Sequence, residues 1–289
     1  MKVRVLAVPY DSGLRNVRMG RGPAHLLERG LVARLWDREH DVAVDTIEVA
    51  DAPPAEIRTA FDLNRVLAAA AGEAVATGAL PLVLAGNCNT AVGTVAGLGS
   101  GDVGVVWFDA HGDFNTPETT VTGFLDGMAL AILTGRCWAG LAATVPGFQP
   151  IPADNVVLVG ARDFDPAERA ALADCAIRQV TLAGVHERGL EAALQPHLAA
   201  LGHRARRVYV HLDLDVLDPS EAKVNQFAAP GGLTVAQVAD ALRLIARHAT
   251  IAAAALTAYD PAYDPDDRVV QAAFRFVSDL LGHAGTRAG

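Results

Sequence analysis

The chain of 289 residues contains only three cysteines, Cys88, Cys137 and Cys175, and no CxxC pair. That spacing excludes a disulfide framework and fits a cytoplasmic protein with reduced thiols. No apolar run approaches the roughly 18 residues of a membrane span, so no membrane partner is expected. The opening stretch MKVRVLAVPYDSG reads as a strand and a turn. It lacks the apolar core and cleavage site of a signal peptide. Positive charge is scarce: 24 Lys and Arg stand against 33 Asp and Glu, a formal charge of -9. This argues against a nucleic-acid partner and suits a small cationic or amino-acid substrate. No Gly-, Ser- or Pro-rich linker divides the chain and no repeat is present. One domain over 1–289 is expected, with a loose tail at 283–289.

What is present is an alternation. Short apolar runs (VRVLAV, DVAVDTI, LPLVLAG, VGVVWFDA, NVVLVGA, RRVYVHLDLD, ATIAAAALTAY) are separated by helical patterns near 23–36, 61–78, 165–174, 185–201 and 233–248. Such alternation predicts a three-layer α/β/α sandwich around a mostly parallel sheet. In these sheets ligands bind beyond the carboxyl ends of the strands, so the polar groups at those ends matter most. The polar segment 112–126 reads as an active-site loop.

Two strand ends carry acids. VGVVWF runs into Asp109-Ala110-His111-Gly112-Asp113, and RRVYV runs into His211-Leu212-Asp213-Leu214-Asp215. Alternate side chains of an extended segment share a face, so Asp109, His111 and Asp113 can converge, as can Asp213 and Asp215. Aspartates grouped this way repel one another unless a cation lies between them. Carboxylates with an imidazole suit Mn(II), or Fe(II), Co(II) or Zn(II), and bridging carboxylates could serve two ions. Turn formation accounts for Asp218-Pro219 but poorly for the repeated placement of the other acids. His211 either lines the site or packs beneath it, and packing is the expectation. A third strand end, Ala85-Gly86-Asn87-Cys88-Asn89, carries a cysteine. It could be a metal ligand, a nucleophile or a filler, and no base for a nucleophile can be read nearby.

At these residues the chain resembles the ureohydrolases: arginases, agmatinases, formiminoglutamases and proclavaminate amidinohydrolases. The likeness rests on MGRGPAHL at 19–26, DAHGDFNTPETT at 109–120, HLDLDVLDPS at 211–220 and PGGLT at 230–234. The resemblance implies an arginase-like fold, a homo-oligomer, and hydrolysis of a guanidino C–N bond by a hydroxide bridging two Mn(II) ions. It implies Asp109 and Asp213 as bridging ligands, Asp113 completing one site, and His111 and Asp215 the other. Cys88 falls where the family motif GGDHS has a histidine ligand. The implied Cys88 site is therefore weak or empty for Mn(II), or takes Zn(II) or Fe(II) instead.

Other departures lie around the substrate. The family's Ser-Gly-Asn-(Phe/Leu)-His-Gly run reads Thr122-Gly123-Phe124-Leu125-Asp126-Gly127 here, so Asp126 stands where a proton-transfer histidine is expected. The family's guanidinium-facing glutamate matches Ala258, and Phe227 stands where arginases have a threonine. Asp260, two residues beyond Ala258, would share its face if the strand continued. Asp165 and Glu168 resemble the acids that face a substrate α-ammonium group. They also read as a capping box opening a helix at Pro166. Asn115 resembles the family's α-carboxylate ligand, although it is equally an ordinary turn residue. The catalytic candidates are Asp126, Asp215 and His111, and the substrate-side candidates are Asn115, Thr122, Asp165, Glu168 and Asp260. The resemblance implies a hydrolase acting on arginine, Nω-hydroxyarginine or a related guanidino acid, with formiminoglutamate as an alternative. The rival from another class is a catalytically silent metal- or amino-acid-binding protein on the same scaffold.

Overall fold

The computed structural model describes residues 1–50, 55–99 and 101–284. Eight strands form one sheet: β1 (Lys2–Val8), β2 (Asp41–Thr46), β3 (Leu80–Ala85), β4 (Val103–Phe108), β5 (Val156–Val159), β6 (Arg178–Val180), β7 (Arg207–Asp213) and β8 (Thr250–Thr257). Their order is β2-β1-β3-β8-β7-β4-β5-β6, and every pairing between them is parallel. Strands buried on both faces need apolar residues at consecutive positions, which is why LPLVLA and VGVVWF are unbroken.

Alternation divides these side chains between two cores. Val106, Phe108, Val210, Leu212 and Leu256 face the helices Leu190–Gly202, Val235–His248 and Arg268–Ala284. Val105, Trp107, Tyr209, Ala253 and Ala255 face the helices Glu56–Ala76, Ala91–Leu98 and Ala129–Leu133. The three-layer sandwich is therefore a direct outcome of period-2 patterning on strands covered from both sides.

Some elements differ from the expectation. The patterns at 23–36 and 185–201 are each broken into two helices, at Gly30 (φ 97°) and Gly189 (φ 80°), where the left-handed backbone ends one helical segment before the next begins. The helix Arg268–Ala284 is not among the patterns expected, although Val269, Val270, Ala273, Phe276, Val277, Leu280 and Leu281 carry a helical spacing. It takes in His283 and Ala284 from the segment expected as a loose tail, while 285–289 lie outside the described residues. No helix among the described residues is long and apolar enough to cross a membrane.

The strand order places four carboxyl ends side by side at the centre. Cys88 follows β3, Thr257 closes β8, Asp213 closes β7 and Asp109 follows β4. Residues far apart in sequence thus meet because β8 and β7 are inserted between β3 and β4.

Candidate metal centre and substrate cleft

Cys88, Asp109 and Asp213 offer ligand atoms that all lie within 4.8 Å of one another, as do Asp109, His111 and Asp215. Asp109 belongs to both groups. Backbone and side-chain donors fix the orientation of these acids. Asp109 Oδ2 accepts from Trp107 Nε1 at 3.0 Å, and its Oδ1 accepts the His111 amide at 2.7 Å. Asp213 Oδ1 accepts the Asp215 amide at 2.8 Å, and Asp215 Oδ1 accepts the Ala110 amide at 3.1 Å. Gly86 is required where it stands, because a Cβ there would lie 2.2 Å from the Tyr10 carbonyl oxygen. That close approach brings the Cys88 turn down onto the sheet.

The electrostatics call for a cation. Asp109, Asp113, Asp213 and Asp215 are all buried. Burial first, and then neighbouring acids, push Asp109, Asp113 and Asp213 above the usual carboxylate range. Burial pulls His111 down, but Asp215 and Asp109 outweigh it and raise the imidazole to about 10. His111 Nδ1 lies 3.2 Å from Asp109 Oδ1 and 3.5 Å from Asp215 Oδ2. Asp113, held at φ 49°, presents a buried Oδ2 with no hydrogen-bond partner among the described residues. A buried carboxylate oxygen left without a donor is costly, and divalent ions supply the missing partner. The donor set, four carboxylates with one imidazole and one thiol, therefore fits metal binding.

Cys88 is 1% exposed. Its thiol donates to Asp213 Oδ2 at 3.0 Å and also contacts Thr257 Oγ1 at 3.2 Å. Burial and then the surrounding acids push the thiol well up.

The cleft above this centre has a volume of about 250 Å³, and its lining includes Asn115, Thr122, Asp126, Asp165, Glu168 and Phe227. Asp126 is held by Asn87 Nδ2 on Oδ2 at 2.8 Å and by the Asn89 amide on Oδ1 at 3.0 Å. Burial raises it to about 8, against the pull of those two donors. The AGNCN turn thus supplies both the thiol and the two groups that hold Asp126.

Two expectations need correction. Asp165 stands at the N-cap of the helix Pro166–Ala173, but its side chain makes no cap bond. It accepts instead from Asn115 Nδ2 at 3.0 Å, because the loop after β4 lies within reach. Glu168 keeps its half of the expected box, interacting with the Asp165 backbone amide, while its Oε1 also accepts the Phe114 amide at 2.8 Å; burial nevertheless raises it to about 7. Asp260 does not share the face of Ala258. β8 ends at Thr257, Ala258 turns to φ 62°, and Asp260 caps the turn Pro261–Tyr263 through the Ala262 amide. Its carboxylate lines an adjoining cavity of about 170 Å³ beside Asp11 and Arg18. Phe124 and Phe227, stacked with ring centroids 5.5 Å apart, form a wall common to both cavities.

Sequence reasoning passes over other residues that shape the site. Arg162 donates to the carbonyls of Asp215, Val216, Leu217 and Ala229, pinning the main chain beside the Asp213–Asp215 pair. Asn225 donates to Asp215 Oδ2 at 3.3 Å and to the Ala258 carbonyl at 2.9 Å. Their local signal is small: Arg162 opens the segment that holds Asp165, and Asn225 stands two residues before Phe227.

Fold and site together define a metal-dependent hydrolase of the parallel α/β type. The sequence model described as "Arginase family" matches residues 1–282, and the chain belongs to that family, hydrolases that act on C–N bonds other than peptide bonds. Among its relatives is an arginase of Bacillus caldovelox, 30% identical over 97% of this chain and 98% of that protein. The solved structure of that enzyme superposes with a TM-score of 0.90 at 29% identity, covering 99% of each chain. An arginase from Bacillus cereus superposes at 0.89 with 27% identity over 100% of both chains. The formimidoylglutamase of Bacillus subtilis, at 19% identity, TM-score 0.79, 100% of this chain and 88% of its own, shares the fold.

Proposed function

We propose that this protein hydrolyses the C–N bond of an arginine-like amino acid whose guanidine is modified, with Nω-hydroxyarginine as the leading candidate. The observation that carries the reading is the make-up of the cleft lining. Asn115, Asp165 and Glu168 form a polar cluster suited to an α-amino acid. Ala258, where a guanidinium-facing glutamate is expected, and the Phe124–Phe227 pair add no carboxylate for a guanidinium. A hydroxylated guanidine is less basic than guanidine, so it loses less from the missing anion and is the better electrophile.

Two Mn(II) ions, when bound, would lower the pKa of water and so supply the nucleophile. Asp109 and Asp213 are the groups we assign to hold both ions, with Asp113 and Cys88 at one and His111 and Asp215 at the other. Asp165 and Glu168 orient the α-ammonium group, and Asn115 and Thr122 the carboxylate. Asp126, raised to about 8, holds a proton near neutral pH and delivers it to the departing amine. Asp215 is the alternative carrier. Water adds to the guanidine carbon, the bond to the ornithine-like nitrogen breaks, and that nitrogen leaves as an amine.

The test is a panel of arginine, Nω-hydroxyarginine, agmatine and formiminoglutamate with Mn-loaded protein, followed by product analysis. Ornithine with hydroxyurea from Nω-hydroxyarginine, at a kcat/KM well above that for arginine, is the expected result. No turnover of any compound, with ligand-induced thermal shifts retained, would favour a silent binding protein.

Cys88→His should tighten Mn(II) at its site by roughly tenfold or more, about 1.4 kcal/mol, because imidazole suits Mn(II) better than a thiol. Calorimetric titration of metal-free protein measures this, and an unchanged affinity would remove Cys88 from the ligand set.

A further inference from the structure

Beneath the Cys88 turn lies a buried line of polar side chains that the proposed chemistry does not use. Tyr209, His211 and Asp213 alternate on one face of β7, and Thr257 on β8 stands in register with Asp213. Tyr209 Oη lies 2.7 Å from His211 Nδ1, and His211 Nε2 lies 3.3 Å from Thr257 Oγ1. Thr257 Oγ1 is in turn 3.2 Å from Cys88 Sγ, which donates to Asp213 Oδ2. Tyr209, His211 and Thr257 are fully buried. His211 stacks on Trp107 with centroids 3.6 Å apart.

The direction of every hydrogen bond follows from the first. A thiol has one hydrogen, and Cys88 commits it to Asp213. The contact with Thr257 must then be made by the threonine O–H. That hydroxyl also has one hydrogen, so His211 Nε2 must be the donor to Oγ1. Among the described residues no carboxylate bonds to the buried ring, so it is neutral and carries a single hydrogen. Nδ1 therefore accepts from the Tyr209 hydroxyl. All donors point toward the candidate metal centre.

We infer that Thr257 is a positioning residue for Cys88, donating a hydrogen bond to its sulfur and held in place by His211 and Tyr209. The inference rests on the reading of Cys88 as a metal ligand. Sγ is fixed from below and turned toward Asp213, and the threonine O–H stays available when the sulfur, on binding a thiophilic divalent cation, has released its own proton to solvent. Such a contact orients a ligand and tempers its donor strength.

The experiment uses full-length metal-free protein, Co(II) as the probe, and the variants Thr257→Val and Thr257→Ser. Wild type and Thr257→Ser should bind Co(II) alike and show a sulfur-to-cobalt charge-transfer band. Thr257→Val should bind Co(II) more weakly, about 10- to 100-fold, with the band moved to lower energy. An unchanged band and affinity in Thr257→Val would overturn the inference. Nitrogen-15 NMR of metal-free wild type provides a test that needs no variant. The ring of His211 should carry its hydrogen on Nε2, and an Nδ1–H ring would reverse the line and overturn the inference. A wild-type Co(II) complex without the sulfur band would remove Cys88 as a ligand and the inference with it, whereas the hydrolase reading is decided by the substrate panel.

Discussion

Replacing Asp213 by asparagine is expected to abolish hydrolysis while raising the melting temperature of the metal-free protein. Asp213 stands where the thiol of Cys88 and the amide of Asp215 both donate to it, and it is shared by the chain's central strand ends. Asparagine keeps the size of the side chain and removes its charge. Without that charge a cation beside Cys88 and Asp109 loses one of the carboxylates assigned to it. The rate should fall by at least about 10³-fold, equivalent to about 4 kcal/mol of barrier. The bound metal per chain should fall with it. Stability should move the opposite way, because burial and the neighbouring Asp215 and Asp109 disfavour the Asp213 carboxylate in the metal-free protein. Removing a buried like charge relieves that repulsion. Rate, metal content and thermal unfolding of one variant decide the matter. Activity within tenfold of wild type would exclude Asp213 as a ligand essential to the reaction.

The acids at the centre are legible because strand ends can be read from sequence. Asp109, His111 and Asp113 follow one apolar run and Asp213 and Asp215 end another. The shared extended face expected of them does not extend so far, because Asp113 turns to φ 49° and Asp215 lies in the single turn Leu214–Val216. The acids meet because both strand ends lie side by side. The three-layer fold is legible for the same reason, since unbroken apolar strands alternate with amphipathic helices. Cys88 stands out by its place after β3, but its contact with Asp213 depends on β8 and β7 being inserted at the centre of the sheet, which no local pattern encodes. Asp260 is misread because a face-sharing argument holds only while the backbone stays extended, and Ala258 at φ 62° ends that condition. Asp165 is misread in part because a cap is a local preference, and Asn115 from another loop competes for the same carboxylate. Thr257 and His211 look like ordinary strand residues, and their function as partners exists only across neighbouring strands. The readable part is what one segment determines, and the rest belongs to the strand order.

Metal-free protein should lose stability as pH rises from 6 to 8.5, and divalent metal should reverse the trend. The sign follows from which state binds more protons. Burial raises Asp126 to about 8 and Glu168 to about 7. Between the ordinary carboxylate pKa near ~4 and those values, the folded chain holds protons that the unfolded chain has released, so stability falls as pH climbs. His111 acts in the same direction. Burial works against its charged form, but Asp215 and Asp109 raise it to about 10, so its stabilising contribution is complete below ~6.5 and is lost as pH rises through 10. A tenfold difference in proton affinity between folded and unfolded chain corresponds to about 1.4 kcal/mol, so a loss of a few kcal/mol is expected over this range. For a chain of this size that is a fall of roughly 5–10 °C in melting temperature. A divalent ion needs His111 and the raised Asp109, Asp113 and Asp213 deprotonated, so it binds more tightly as pH rises and releases protons on binding. At a thousandfold excess over its Kd it adds about 4 kcal/mol. Thermal unfolding at pH 6 and 8.5, with and without Mn(II), should therefore show the stabilisation by metal growing with pH. Calorimetry in buffers of different ionisation enthalpy should show protons released per ion bound. A metal-free melting temperature that is flat or rising across this window would mean that the buried acids are not protonated in the folded chain.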